Sequence, residues 1–168
     1  MIEKTEFVYT TYITSTPQKV WDAITTPEFA SQYWGKKNVS DWKPGSKWNM
    51  VSIDGSEITN ITGEVLESRP PSRLVLSWAS PENLGNKSEY SRVTFEIEGM
   101  GEVVRLNVIH DQLKAGSEMA GGISRGWPMV LSGLKSFLET GKAPDIMAIK
   151  GSCSAQSQSQ AQSQAKVA

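Results

Sequence analysis

The strongest constraint on the fold is a change of hydrophobic period near residue 113. Val93, Phe95 and Ile97 share one parity, while Arg92, Thr94, Glu96 and Glu98 share the other. Gly99-Met100-Gly101 turns the chain, and Val104, Leu106, Val108 and His110 then line one parity of residues 102–112. Period-two alternation of this kind marks antiparallel sheet with one buried face. From Ile123 the spacing becomes helical, through Trp127, Val130, Leu134 and Phe137 or Leu138. Gly141 suits the C-terminal cap of that helix. Pro128 is awkward in a helix interior, so the spacing predicts helix more firmly over 127–139 than over 118–126. A hairpin with one apolar face, followed by a long amphipathic helix, must bury the two against each other.

The upstream residues extend the same sheet. Residues 4–14 are rich in aromatic and β-branched types and read as a strand. Phe7, Tyr9 and Ile13 share a parity with Thr11, against Val8 and Tyr12, so this segment alone does not fix its inner face. Two near-duplicate helix starts follow, Ser15-Thr16-Pro17-Gln18 and Thr25-Thr26-Pro27-Glu28. If the first hydroxyl of each pair caps, a capping box forms; if the second caps, proline falls at the first helical position. Val20, Trp21 and Ile24 mark one short helix, and Phe29, Tyr33 and Trp34 the next. A possible short strand lies within 35–46. Trp48, Met50 and Ser52 alternate with Lys47, Asn49 and Val51, and Asp54-Gly55 is a hairpin-type turn. Residues 56–68 form a longer strand stopped by Arg69-Pro70-Pro71. Leu74, Leu76 and Trp78 form the inward parity of another strand, and residues 80–88 read as a loop.

These elements predict an α+β domain over residues 1–141: a curved antiparallel sheet around a long C-terminal helix, with two short helices after the first strand. Residues 142–168 are expected to form a disordered tail rich in Ser, Gln and Ala, because such a composition cannot offset its ordering entropy. The lone cysteine, Cys153, lies there, so no internal disulfide forms.

Charge and composition narrow the function. Seventeen basic and eighteen acidic residues give a net charge of -1, and the only basic cluster is the pair Lys36-Lys37, which argues against nucleic-acid binding. No apolar run approaches a membrane span, and the start Met1-Ile2-Glu3-Lys4 does not resemble a secretory signal. A cytoplasmic location is expected. With one histidine and one tail cysteine, no metal site is expected, and no other cofactor. Gly121-Gly122 and Gly133 lack the strand and lysine spacing of a phosphate loop.

A straight helix laid across a twisted sheet touches it in some places and stands off in others. Bulky side chains, water or a ligand must fill the gap. Trp34, Trp48, Met50, Trp78, Phe95 and Trp127 are the candidate walls, with Leu106 and His110 from the sheet and Val130 and Leu134 from the helix. Tyr9 and Tyr33 could orient a polar ligand end through their hydroxyls. The same aromatic set could equally make a filled core.

Three segments carry a resemblance to a known family. They are Ser15–Thr25 running on to Tyr33-Trp34-Gly35; Thr62–Leu74 ending at Ser77-Trp78; and Gly126-Trp127-Pro128 through Glu139. In order and spacing they resemble the START-like, or SRPBCC, superfamily with its helix-grip (Bet v 1-like) fold, and within it the subfamily similar to the activator of the 90-kDa heat-shock chaperone's ATPase. The resemblance spans roughly residues 3–140. It implies a cavity under the long helix that takes lipids, polyketides or other apolar molecules. Some members are cyclases or hydrolases, and the eukaryotic activator uses its related domain in a chaperone complex. No catalytic residue carries over.

The expected function is therefore binding of a small, largely apolar ligand without catalysis. The alternatives are a protein-interaction domain of a chaperone-associated or stress-response protein, and an enzyme acting on an aromatic substrate with His110 assisting proton transfer. His110 fits a satisfied structural histidine better, since no nucleophile or carboxylate is evident beside it, and Asp111 points the opposite way. Glu64, Arg92 and Arg105 are expected on the outer surface.

Overall fold

The computed structural model describes residues 3–145. Seven strands form one antiparallel sheet: β1 (Lys4–Thr14), β2 (Lys36–Val39), β3 (Lys47–Ser52), β4 (Thr59–Arg69), β5 (Arg73–Trp78), β6 (Ser91–Met100) and β7 (Val103–Lys114). Their order is β1-β7-β6-β5-β4-β3-β2, so the first strand closes on the last and β1 and β2 form the edges. Helices α1 (Pro17–Thr25) and α2 (Pro27–Trp34) follow β1, and α3 (Glu118–Thr140) ends the fold. The sheet curls into a half-barrel around α3, the expected α+β helix-grip arrangement. Cys153 and most of the Ser/Gln/Ala-rich stretch lie outside the described residues.

Local chemistry explains the element ends. Thr16, the second hydroxyl of its pair, caps α1 by accepting from the Lys19 N–H at 3.3 Å, with Pro17 at the first helical position. Thr26 closes α1 through its N–H to Asp22 and also opens α2, without a side-chain cap bond. Gly35, at φ 69°, ends α2 in the left-handed region.

Two boundaries differ from the sequence expectation. The fourth strand begins at Thr59 rather than 56, because Glu57, at φ 54°, still belongs to the turn. The long helix begins at Glu118, nine residues earlier than its firmly expected part. Ser117 caps it, accepting from the Ala120 N–H at 3.1 Å. Pro128 lies inside the helix; its ring removes one ladder bond but does not stop the rod, because packing of the apolar face outweighs the local cost.

One irregularity in β7 matters for the site. Phe7 pairs with His110 and Thr5 with Leu113, so Asp111 and Gln112 together oppose Glu6 alone. This β-bulge shifts the side-chain parity by one residue. Both His110 and Leu113 therefore point inward, at 0% and 2% exposure.

The concave face of the sheet supplies Ile13, Val65, Leu74, Leu76, Val93, Phe95, Ile97, Val104, Leu106 and Val108 to the core. α3 supplies Ile123, Trp127, Val130, Leu131 and Leu134, and α1 and α2 supply Val20, Trp21, Ile24, Tyr33 and Trp34. Each large apolar side chain buried this way contributes about 1.5–3 kcal/mol. Phe7, Tyr9, Thr11 and Ile13 form the inner parity of β1, which settles the face its sequence left open. On the convex face, Arg92 pairs with Asp111 at 2.5 Å and Arg105 with Glu98, while Glu64 is exposed.

Candidate functional site: the space between sheet and helix

Six aromatic rings meet where α3 crosses the sheet. Trp127 packs against Trp34 at 5.4 Å between ring centroids, Trp78 at 5.8 Å and Phe95 at 5.7 Å. Trp78 also meets Trp48 at 5.3 Å and the His110 ring at 5.2 Å. The Trp48 indole N–H donates to the Ser77 carbonyl at 2.8 Å. Gly63 makes this possible: a Cβ there would sit 1.9 Å from the Ser77 oxygen and 2.6 Å from Trp48 Nε1. The Trp78 indole N–H has no hydrogen-bond partner among the described residues.

His110 is locked by its neighbours. Trp127 Nε1 lies 3.1 Å from His110 Nδ1, and an indole N–H can only donate. Nδ1 is therefore the acceptor, and in the neutral ring Nε2 carries the proton. That proton points to the Ser91 hydroxyl at 2.9 Å, which in turn donates to the Trp78 carbonyl at 3.3 Å. Burial pushes the His110 pKa down to about 3, and nearby Asp111 offsets this only in part. The imidazole stays neutral at physiological pH with both nitrogens occupied. A Ser–His pair activates its hydroxyl only if the facing nitrogen can accept a proton, and here that nitrogen donates. The cluster is a structural tether between β6, β7 and α3.

Ser91 was missed in the sequence. Extending the inward parity of Phe95 and Val93 back by two residues places it inside, so a signal was present. The loop-like residues before it hid the strand's start.

Beside the aromatic cluster the helix stands off the sheet. A cavity of about 510 Å³ opens where the loop after β5 meets the start of α3. Met50, Ile61, Trp78 and Leu113 form its apolar wall on the sheet side, and Met119, Gly122 and Ile123 cover it from α3. A smaller cavity of about 120 Å³ shares Trp78, Gly122 and Ile123 with it and extends along α3 past Gly126, Trp127 and Val130 to Trp34. The larger cavity also carries Glu82, Glu89 and Glu118 against a single Lys114, whose ammonium lies 3.6 Å from the Glu89 carboxylate.

Of the expected site residues, Trp34, Met50, Trp78, Trp127 and Val130 line these two cavities. Trp48, Phe95, Leu106, His110 and Leu134 are buried in the core around them instead. Tyr33 is not at a pocket mouth: its hydroxyl donates to the Ala23 carbonyl at 3.0 Å, and burial raises its pKa far above the ordinary phenol value. Tyr9 is half-buried on β1, stacked on Phe7 at 6.5 Å. The aromatic residues expected to form separate walls thus largely touch one another, and the open volume lies to one side of them, toward the loops. Sequence parity missed Ile61, Gln112, Leu113, Met119, Gly122, Ile123 and Gly126 as lining residues. Among the described residues no group of His, Cys, Asp and Glu side chains is placed to hold a metal, and no helix is long and apolar enough to cross a membrane.

A half-barrel sheet gripping a C-terminal helix, with open volume between them, defines a START-like domain of the ligand-binding type. A family model described as activator of Hsp90 ATPase homolog 1-like protein matches residues 14–139, and the chain belongs to that family. Similar solved structures include CalU16 from Micromonospora echinospora, with 22% identity, TM-score 0.63, and coverage of 88% of this chain and 82% of that one. The Aha1 dimer from Colwellia psychrerythraea aligns at 18% identity and TM-score 0.67, covering 83% and 99% of the two chains. An HSP90 activator from Plasmodium falciparum aligns at 22% identity and TM-score 0.65, covering 79% and 95%. At these identities the likeness concerns the fold. A comparison with curated protein sequences finds no match.

Proposed function

We propose that this domain binds a small, largely apolar ligand in the paired cavities between the sheet and the N-terminal half of α3. The observation that carries the reading is the glycine face of that half-helix. Gly122 lines both cavities and Gly126 the smaller one. Both lie in regular helix, and a Cβ on either would meet nothing within 4 Å. Alanine would therefore fit at either position and favour the helix by about 1 kcal/mol. Gly122 is exposed and Gly126 half-buried, so this bare backbone forms the open edge of the cavities beside Trp34 and Trp78, at the expense of helix stability. Apolar burial against Met50, Ile61, Trp78 and Ile123 would supply affinity at about 25 cal/mol per Å², before the costs of association.

The other readings have less behind them. Proton transfer by His110 lacks a free nitrogen. The exposed large apolar residues are spread over the chain, with Val8 and Tyr12 on β1, Leu66 on β4, Leu84 in the loop after β5 and Met100 at the end of β6. The charge balance and the one cysteine support a cytoplasmic site of action.

Titration with diphenylhexatriene, an uncharged hydrocarbon whose fluorescence rises in apolar surroundings, tests the proposal. The wild type gives a saturable rise, and Gly122→Leu, which fills the shared wall, abolishes it while the melting temperature is kept or raised. No saturable rise in the wild type, or equal binding by a folded Gly122→Leu variant, overturns the reading.

A further inference from the structure

Three residues other than glycine adopt the left-handed backbone region: Trp42 at φ 60°, Glu57 at φ 54° and Gln112 at φ 57°. An L-residue there costs roughly 1–2 kcal/mol relative to ordinary backbone, whereas glycine adopts it freely. Two of the three have a visible compensation. The Trp42 indole N–H donates to the Thr25 carbonyl at 2.8 Å, and its ring packs against the core. The Glu57 carboxylate pairs with Lys37 at 2.7 Å. Glycine would lose both contacts.

Gln112 has no such compensation among the described residues. It sits in the β7 bulge, where glycine would provide the backbone conformation without strain. Its side chain is exposed at the open side of the larger cavity, beside Leu113, and its carboxamide makes no hydrogen bond among the described residues. Strain kept for a side chain that serves nothing inside the fold points outward to what enters the cavity.

We propose that Gln112 is a ligand-recognition residue, its carboxamide hydrogen-bonding the polar group of a neutral ligand whose apolar body lies against Met50, Trp78 and Ile123. This rests on the cavity reading above and narrows it to a chemical class. A carboxamide both donates and accepts, so it matches an amide or hydroxyl group. The three carboxylates of Glu82, Glu89 and Glu118, against the single Lys114 ammonium, disfavour an anionic head group in the same space. The ligand is therefore an uncharged amide or alcohol rather than a fatty acid or other carboxylate.

Competition against bound diphenylhexatriene separates the two levels of the argument. The hydrocarbon has no polar group and reads the cavity alone. Octanamide should displace it from the wild type at concentrations at least tenfold below those needed with octanoate. Gln112→Gly should raise the melting temperature and, measured against the variant's own affinity for the hydrocarbon, weaken displacement by octanamide about five- to tenfold. Failure of the wild type to bind the hydrocarbon overturns the cavity reading and this inference with it. Normal hydrocarbon binding with octanamide displacement unchanged in Gln112→Gly overturns the role of Gln112 alone. A fall in the melting temperature of that variant would also overturn it, by showing that the side chain stabilises the fold.

Discussion

The indole N–H of Trp127 donates to Nδ1 of His110 across 3.1 Å, joining the middle of α3 to the last strand. This bond fixes the imidazole tautomer, directs the Nε2 proton to Ser91, and holds the helix at the edge of the aromatic cluster. Beyond that point the helix stands clear of the sheet.

Loss of this donor is expressed as stability. Trp127→Phe keeps an aromatic ring in the core but leaves a fully buried acceptor unpaired, which costs about 1–3 kcal/mol, and the lost ring volume adds to it. Urea unfolding at pH 7 should show a total loss of about 2–4 kcal/mol. A loss well below 1 kcal/mol would mean that the bond does not hold helix to sheet.

His110 also gives the fold an acid-sensitive component. Its pKa is near 3 in the folded state and about 6.5 once exposed, so below pH 6.5 the unfolded chain binds a proton that the native one refuses. Stability from this group is full above pH 6.5 and declines as the pH falls toward 3. The expected loss between pH 7 and pH 5.5 is roughly 1 kcal/mol. Denaturation midpoints across that range, in wild type and in His110→Gln, check the assignment. The variant should lose the slope, and an unchanged slope would assign it elsewhere.

Gly63 is required by close approach rather than by backbone angle. Because a Cβ would overlap the Ser77 carbonyl and crowd Trp48 Nε1, Gly63→Ala must separate β4 from β5 or expel the Trp48 indole. We expect destabilisation of about 3 kcal/mol or more, the range of severe overpacking, readable as a fall in the urea midpoint. A near-neutral variant would contradict the contact.

The elements with strict periodicity were the legible ones. β6 and β7 could be read from Val93-Phe95-Ile97 and Val104-Leu106-Val108, and α3 from its stripe through Trp127, Val130 and Leu134. The start of α3 was obscured because Gly121, Gly122, Gly126 and Pro128 all weaken local helix signals, and tertiary packing overrode them. Two of those glycines, Gly122 and Gly126, line the open volume, so the feature that hid the helix is the one that shapes the site. The bulge at Asp111 and Gln112 was invisible because register depends on the partner strand. Large aromatics drew attention to the centre of the interface, where they satisfy one another, and away from the smaller residues that leave space.

The most direct measurement follows the six tryptophan indole N–H signals by NMR while 1-octanol is added. Occupation of the cavities should move the signals of Trp78, Trp34 and Trp127 saturably. The signal of Trp42, bonded to Thr25 and lining neither cavity, should stay in place. If none of the three moves at saturating alcohol, or if all six drift together without saturation, the space between sheet and helix is not a binding site.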